Sequence, residues 1–360
     1  MEYLEALGNI QQNFLNFILS QENKEEDSLN LTKLLDNPNV KKDSSKLREV
    51  LHLISKVSEN HFKNHDFMQK IESIILILKE QINQIFTNKE VWTIFRKNKR
   101  ILLFLLNSKI ITVDSSIANK IAHEADHYQC YFYPEIKPFI KEELRASIES
   151  KINSINNFEE KRKEGENDSY ICQLIRNDSI DEFVIHVNQT NLPLSTQISQ
   201  SIFETNSFLI NKEPTLIEYS AFFGSIQIFK YLQINNNKLL TPSLWLYSIH
   251  GMNHEIISIL EENHIKPKVQ SFEDCLFESI KCHHNEISNY FLDQNSELHS
   301  NEIEFQMFLN ALKYHNYSYF PKKINDTKLF YFWCKYDYLY FVELLLKENK
   351  IDLNLKTIQK

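Results

Sequence analysis

A helical hairpin pattern recurs through the second half of this chain, and nothing else in the sequence restricts its fold as much. Residues 215–232 read TLIEYSAFFGSIQIFKYL. The segment predicts two short helices. Thr215 opens the first, and Ser220 and Ala221 are small enough to let a neighbouring helix approach. Gly224 closes it in the left-handed conformation that glycine adopts without strain. Ile228, Phe229, Tyr231 and Leu232 then form the apolar stripe of the second helix. The same frame returns at Ser243–Leu260, with Glu255-Ile256-Ile257 in the second helix, and at Cys275–Leu292, with Asn285-Glu286-Ile287. Ile228 to Ile256 is 28 residues and Ile256 to Ile287 is 31. An earlier copy is expected at Tyr170–Val187 and a poorer one at Phe308–Phe320. A last copy ends in Phe341–Leu346 and is followed by Ile351-Asp352-Leu353-Asn354. A lone helix pair cannot bury its apolar face, so several in register imply a stack with one continuous core.

The first half has the 3.6-residue period without the repeat. Leu4, Leu7, Ile10, Phe14, Leu15, Phe17 and Ile18 fit one amphipathic helix. The polar run Gln21–Ser28 is expected as an exposed linker. From Leu31 to Phe86 two further stripes appear: Leu47, Val50, Leu51, Leu53, Ile54, then Phe67, Ile71, Ile74, Ile75, Leu78, Ile82. Helices are predicted over Lys89–Phe95 and Lys99–Leu106. No strand-like alternation of any length occurs. The mixed charge run at 158–168 (FEEKRKEGEND) is expected as a solvated linker and as the main boundary, giving an N-terminal helical region, 1–165, and a repeat array, 166–360.

Composition removes several function classes. The chain has only 4 glycines in 360 residues, Gly8, Gly165, Gly224 and Gly251, with no cluster that could cradle a phosphate. The formal net charge of −8 disfavours nucleic acid or an anionic membrane as the main partner. The most apolar runs, Ile74–Leu78 and Ile101–Leu106, are too short to span a bilayer. No signal peptide is expected at the N-terminus. The 5 cysteines are scattered, without a C-x-x-C pair, as expected of reduced core thiols in a cytoplasmic protein.

One motif points to chemistry. His123-Glu124-Ala125-Asp126-His127 matches H-E-x-x-H, which on a helix presents two histidines on one face for zinc and a glutamate as general base. Glu149 stands 22 residues past His127, where a third ligand can follow. Against a zinc peptidase stand the charge of Asp126 inside the motif, the absence of a following Gly and His, the missing strand-rich segment and the early Pro134. A solvated helix face is the preferred reading, so no metal or cofactor is expected. His283-His284 and the pair His250/His254 are the other histidine groups, and His250 and His254 are expected on different elements because they straddle the junction between two helices.

The segment Thr215–Leu232 resembles an ankyrin repeat, from its opening Thr through the small pair, the Gly and the aliphatic second helix. The Thr-Pro-Leu-His box is intact nowhere, and the spacing wanders around the roughly 33 residues of that family. Asn98–Leu106, Tyr133–Phe139 and Ser201–Ser207 are further similar to a divergent, Asn-rich class of protist ankyrin proteins that carries a domain of unknown function. This resemblance covers roughly residues 95–360. It implies an all-α solenoid of degenerate helix pairs and a non-catalytic role as a protein-binding module or scaffold, with an unidentified protein as partner and no small-molecule substrate. The loops that would make contacts lie near Lys212–Glu213, Asn237–Lys238 and Lys266–Gln270.

Overall fold

A computed structural model describes residues 2–20, 25–35, 43–60, 65–268, 271–321 and 329–347. Among these residues every regular element is a helix. The only strand-like feature is a single antiparallel bridge between Gln197 and Thr215. In chain order the α-helices are α1 Glu2–Leu19, α2 Glu25–Leu35, α3 Ser44–Asn60, α4 His65–Ile77, α5 Lys79–Ile85, α6 Asn88–Phe95, α7 Lys99–Asn107 and α8 Ser115–Ala122. They continue as α9 Asp126–Tyr131, α10 Tyr133–Ile136, α11 Glu142–Ile152, α12 Phe158–Glu164, α13 Tyr170–Arg176, α14 Ile180–Thr190, α15 Leu216–Phe223 and α16 Ile226–Asn235. The remainder are α17 Leu244–Gly251, α18 His254–Glu262, α19 Glu273–Lys281, α20 Asn285–Gln294, α21 Asn301–Tyr314, α22 Phe330–Lys335 and α23 Leu339–Lys347. No helix among the described residues is long and apolar enough to cross a membrane.

The chain forms two compact units, residues 57–295 and residues 1–56 together with 296–360. The expected boundary at residue 165 lies inside the first of these. The 158–168 run is not a solvated linker. Residues Phe158–Glu164 are helical, and Arg162 on that helix is only 4% exposed. Its guanidinium meets both carboxylate oxygens of Glu135, at 2.7 and 2.8 Å, and donates to the Tyr131 carbonyl at 3.0 Å. Gly165 closes the helix at φ +69°. The expected linker at Gln21–Ser28 is corrected in part: helix α2 already begins at Glu25, and residues 21–24 lie outside the described residues.

In the 57–295 unit, helix pairs follow one another. Helices α13/α14, α15/α16, α17/α18 and α19/α20 are each joined by a tight turn, and α13 packs on α15, α15 on α17, and α17 on α19. The second helices α14, α16 and α18 pack in the same order. Thr215 caps α15 as the sequence predicts. Its side chain accepts the Glu218 N–H while the Glu218 carboxylate accepts the Thr215 N–H, a reciprocal capping box. Every junction contains one left-handed residue: Asp178, Gly224, Met252 and His283 here, and His315 and Asp337 in the other unit, with φ between +49° and +67°. Only one of the six is glycine.

Polar side chains at these junctions tie each pair to the next. The Asp178 carboxylate accepts the Gln227 and Ile228 N–H groups at 3.1 and 3.0 Å, capping α16 from the preceding pair. Ser225 donates to the Ile175 carbonyl, and Asn253 donates to the Gly224 carbonyl at 3.0 Å. Glycine is required where α15 meets α17. A Cβ on Gly251 would stand 2.2 Å from the Ala221 carbonyl oxygen and 2.9 Å from the Gly224 nitrogen. The buried Ser220, Ala221, Ser248 and Ser279 line the first helices and keep this approach close.

The second unit joins the two ends of the sequence. Gln11 of α1 donates to Asn316 at 2.9 Å and accepts the Tyr317 N–H at 2.6 Å. Tyr3 stacks on Tyr340, and Trp333 stacks on Phe341. The copy expected at Phe308–Phe320 has only its first helix. A single 3-10 turn, Tyr317–Tyr319, stands in place of the second, and Pro321 disfavours helical backbone just before it. The final pair is present as α22 and α23. The closing segment Ile351–Asn354 lies outside the described residues.

Candidate binding cleft

The 57–295 unit holds a cleft of about 540 Å³. One wall is the start of α9 (Ala125, Asp126, His127, Cys130) with Lys151 of α11. The other is the loop between α14 and α16's partner α15, residues 198–214, with Tyr219 and Asn167 below. The loop has no regular structure of its own, so its shape depends on bonds to its neighbours. Ile198 N–H donates to the Pro214 carbonyl at 2.8 Å and Leu216 N–H to the Thr196 carbonyl at 3.2 Å, closing its base. Asn167 holds the Ser199 carbonyl at 2.8 Å, and Ser201 donates to Asp168 at 2.9 Å. Lys99, only 1% exposed, donates to the Ile202 carbonyl at 3.0 Å and lies over the Tyr131 ring. Thr205 bonds the Gly165 carbonyl through both its N–H and its hydroxyl.

The floor is apolar and buried: Ile198, Leu209, Pro214, Tyr219 and Cys130. The rim is polar and exposed: Ser199, Gln200, Asn211 and Lys212 on one side, Asp126 and Lys151 on the other. Asp126 and Lys151 pair with each other. Burial, aided by the Lys99 charge, pulls the His127 pKa below its ordinary value, so the ring is neutral at neutral pH. Burial pushes the Cys130 thiol up, which leaves it protonated and unreactive as a nucleophile. An apolar floor, a polar rim and this volume are the ordinary features of a ligand site.

The H-E-x-x-H residues are not presented on one helix. His123 is the residue that closes α8, with Nδ1 2.7 Å from the Asn119 carbonyl oxygen. Glu124 and Ala125 lie in the break, and His127 sits in α9, which starts at Asp126. The motif was expected on a single helical face; the chain turns within it instead. Glu149, the possible third ligand, accepts from Tyr133 and Lys137 on the surface. Of the motif, only Asp126 and His127 face the cleft, together with Ala125.

A second constellation, which sequence reasoning divided among unrelated positions, is His250, Glu278 and Cys282, the one group of metal-ligand type gathered among the described residues. His250 lies in α17 and His254 in α18, on separate elements as expected. His250 is fully buried. Its Nδ1 lies 3.0 Å from the Asn60 carbonyl oxygen and its Nε2 2.8 Å from Glu278. Both partners are acceptors, but burial pulls the His250 pKa below its ordinary value, with the Glu278 hydrogen bond opposing. Burial alone would raise Glu278, but hydrogen bonds from His250 and Lys281 hold it down to about 2. The Cys282 sulfur stands 3.5 and 3.6 Å from the two ring nitrogens. Near-equal distances place it over the ring face, not in the plane where a shared metal would bind a nitrogen lone pair. The group is therefore built as a polar clasp joining α3, α17 and α19. Glu278 and Cys282 left no sequence signal, because neither belongs to a motif.

In the other unit, Glu49 and His52 of α3 reach the two left-handed junction residues. Glu49 accepts from His315 and from the Tyr317 hydroxyl, both at 3.1 Å. His52 and Arg48 both meet Asp337, at 2.9 and 3.0 Å. The His52 and His315 rings stack, 4.6 Å apart. Glu49 and His315 are buried, whereas the Asp337 side chain is 47% exposed. No family model, curated protein or solved structure matches the chain.

Proposed function

We propose that this chain is a divergent ankyrin-type stack that binds another protein and does no chemistry itself. The observation that carries the reading is the packing of α13, α15, α17 and α19 in chain order, each paired with a second helix through a left-handed turn. Such an arrangement sets the loops before successive first helices side by side, and a row of loops suits a protein better than a small molecule. The loops at Lys238 and Lys266 expose both lysines, as binding loops require. Four of the five cysteines are buried free thiols, which fits the reducing cytoplasm as the place of action.

The test is positional. A partner recovered with the full chain is purified and titrated against variants of it. Lys238→Glu and Lys266→Glu on the loops weaken binding by about tenfold. Ile185→Asp and Ile234→Asp, on exposed positions of the second helices, leave it unchanged. The opposite pattern, or cleavage of the partner that is lost in Glu124→Gln, would reject the reading.

A further inference from the structure

We propose that the cleft between α9 and residues 198–214 binds an extended segment of a partner protein in which an apolar side chain stands next to an aspartate or glutamate. This rests on the protein-binding reading above and adds where the partner engages and what it presents. The floor supplies a dry seat for one apolar side chain on Ile198, Leu209, Pro214 and Tyr219. The rim amides of Gln200 and Asn211 offer both donors and acceptors, which matches a peptide main chain.

Charge selects the neighbouring residue. The cleft is lined by two lysines and two aspartate or glutamate residues. Asp126 is already paired with Lys151. Glu204 is buried, with Oε1 accepting the Asn206 N–H at 2.7 Å. Lys212 is different. It is exposed, its ammonium sits 3.2 Å from the centre of the Phe208 ring, and it makes no ion pair among the described residues. The nearby Glu278 is taken by His250 and Lys281. A carboxylate on the ligand therefore finds in Lys212 a cation on the cleft lining that is held on the Phe208 ring and makes no ion pair among the described residues. A polyanion such as nucleic acid would instead meet Asp126 and Glu204 with a single available cation. The bonds that pin the loop mean that little ordering remains to be done on binding.

Random peptides displayed on phage and selected against the full chain test this directly. Enriched peptides are then measured by fluorescence anisotropy against wild type, Lys212→Glu, Gln200→Trp and Ile234→Asp, each checked for unchanged helical circular dichroism. The expected result is enrichment of an acidic residue beside an apolar one. Affinity falls by about tenfold in Lys212→Glu and in Gln200→Trp, stays unchanged in Ile234→Asp, and weakens with added salt. Peptides that bind the two cleft variants as tightly as wild type overturn the cleft while leaving protein binding intact. Failure to enrich any peptide also overturns it, and the loop variants of the previous section then decide separately on protein binding.

Discussion

Gly251 and Gly8 show how differently two glycines can be used. A Cβ on Gly251 would collide with the backbone of the neighbouring helix, whereas one on Gly8, within α1, would meet nothing within 4 Å. Gly251→Ala is therefore expected to destabilise by about 1–3 kcal/mol in urea unfolding, and Gly8→Ala to be neutral or to stabilise by up to about 1 kcal/mol. Equal effects would mean that α15 and α17 do not approach as described. Glu49 gives a pH-dependent case. Burial raises its pKa well above 4.5, with the Tyr317 hydrogen bond opposing and Asp337 adding to the rise. A raised folded pKa contributes stability that is fully present below the unfolded value and is lost as pH rises through the folded one. Glu49→Gln removes that loss, so the variant gains on wild type by up to about 1.4 kcal/mol per pH unit as the pH climbs above 5. A difference that does not vary with pH would contradict the burial of this carboxyl. At this scale the sequence was legible where residue type and backbone agree, as at Thr215 and Gly224. It was silent at Asp178, Met252, His283, His315 and Asp337, because side-chain-bearing residues hold the same left-handed backbone when their neighbours fix it.

Short helices were the elements most easily misread. Phe158–Glu164 carries charges of both signs over about two turns, too little for a period to show, and its one buried charge is invisible without its partner. Glu135, far up the chain, supplies it. Glu135→Ala leaves Arg162 buried without its bidentate partner and is expected to cost about 3 kcal/mol. Glu159→Ala removes a partner that is itself 56% exposed and costs under about 1 kcal/mol. Equal small losses would restore the linker reading. The H-E-x-x-H motif fails for a related reason. Spacing alone places two histidines on one face only if a helix runs through all five residues, and here the chain breaks between Glu124 and Asp126. The cleft wall was not legible: Ser201–Ser207 entered only through a resemblance and Lys212 as a loop residue, and the loop's meeting with α9 depends on hydrogen bonds with Lys99, Asn167 and Asp168 that no local pattern encodes.

For the whole molecule, the local frame of helix pairs was readable and the long-range closure was not. Helix pairing follows from apolar periodicity, which the copies at 170–187, 215–232, 243–260 and 275–292 carry. The joining of α1 and α3 to residues 296–347 rests on Gln11, Glu49 and His52, single polar residues whose partners lie at the other end of the sequence. A stack also makes a prediction that a single undivided core does not, because each pair touches mainly its neighbours. Hydrogen exchange compared between wild type and Gly251→Ala reads it out peptide by peptide. The stack predicts the largest increase in exchange across residues 216–262, a smaller one in 170–190 and 273–294, and little in 65–107. A uniform increase over residues 65–294 would contradict it.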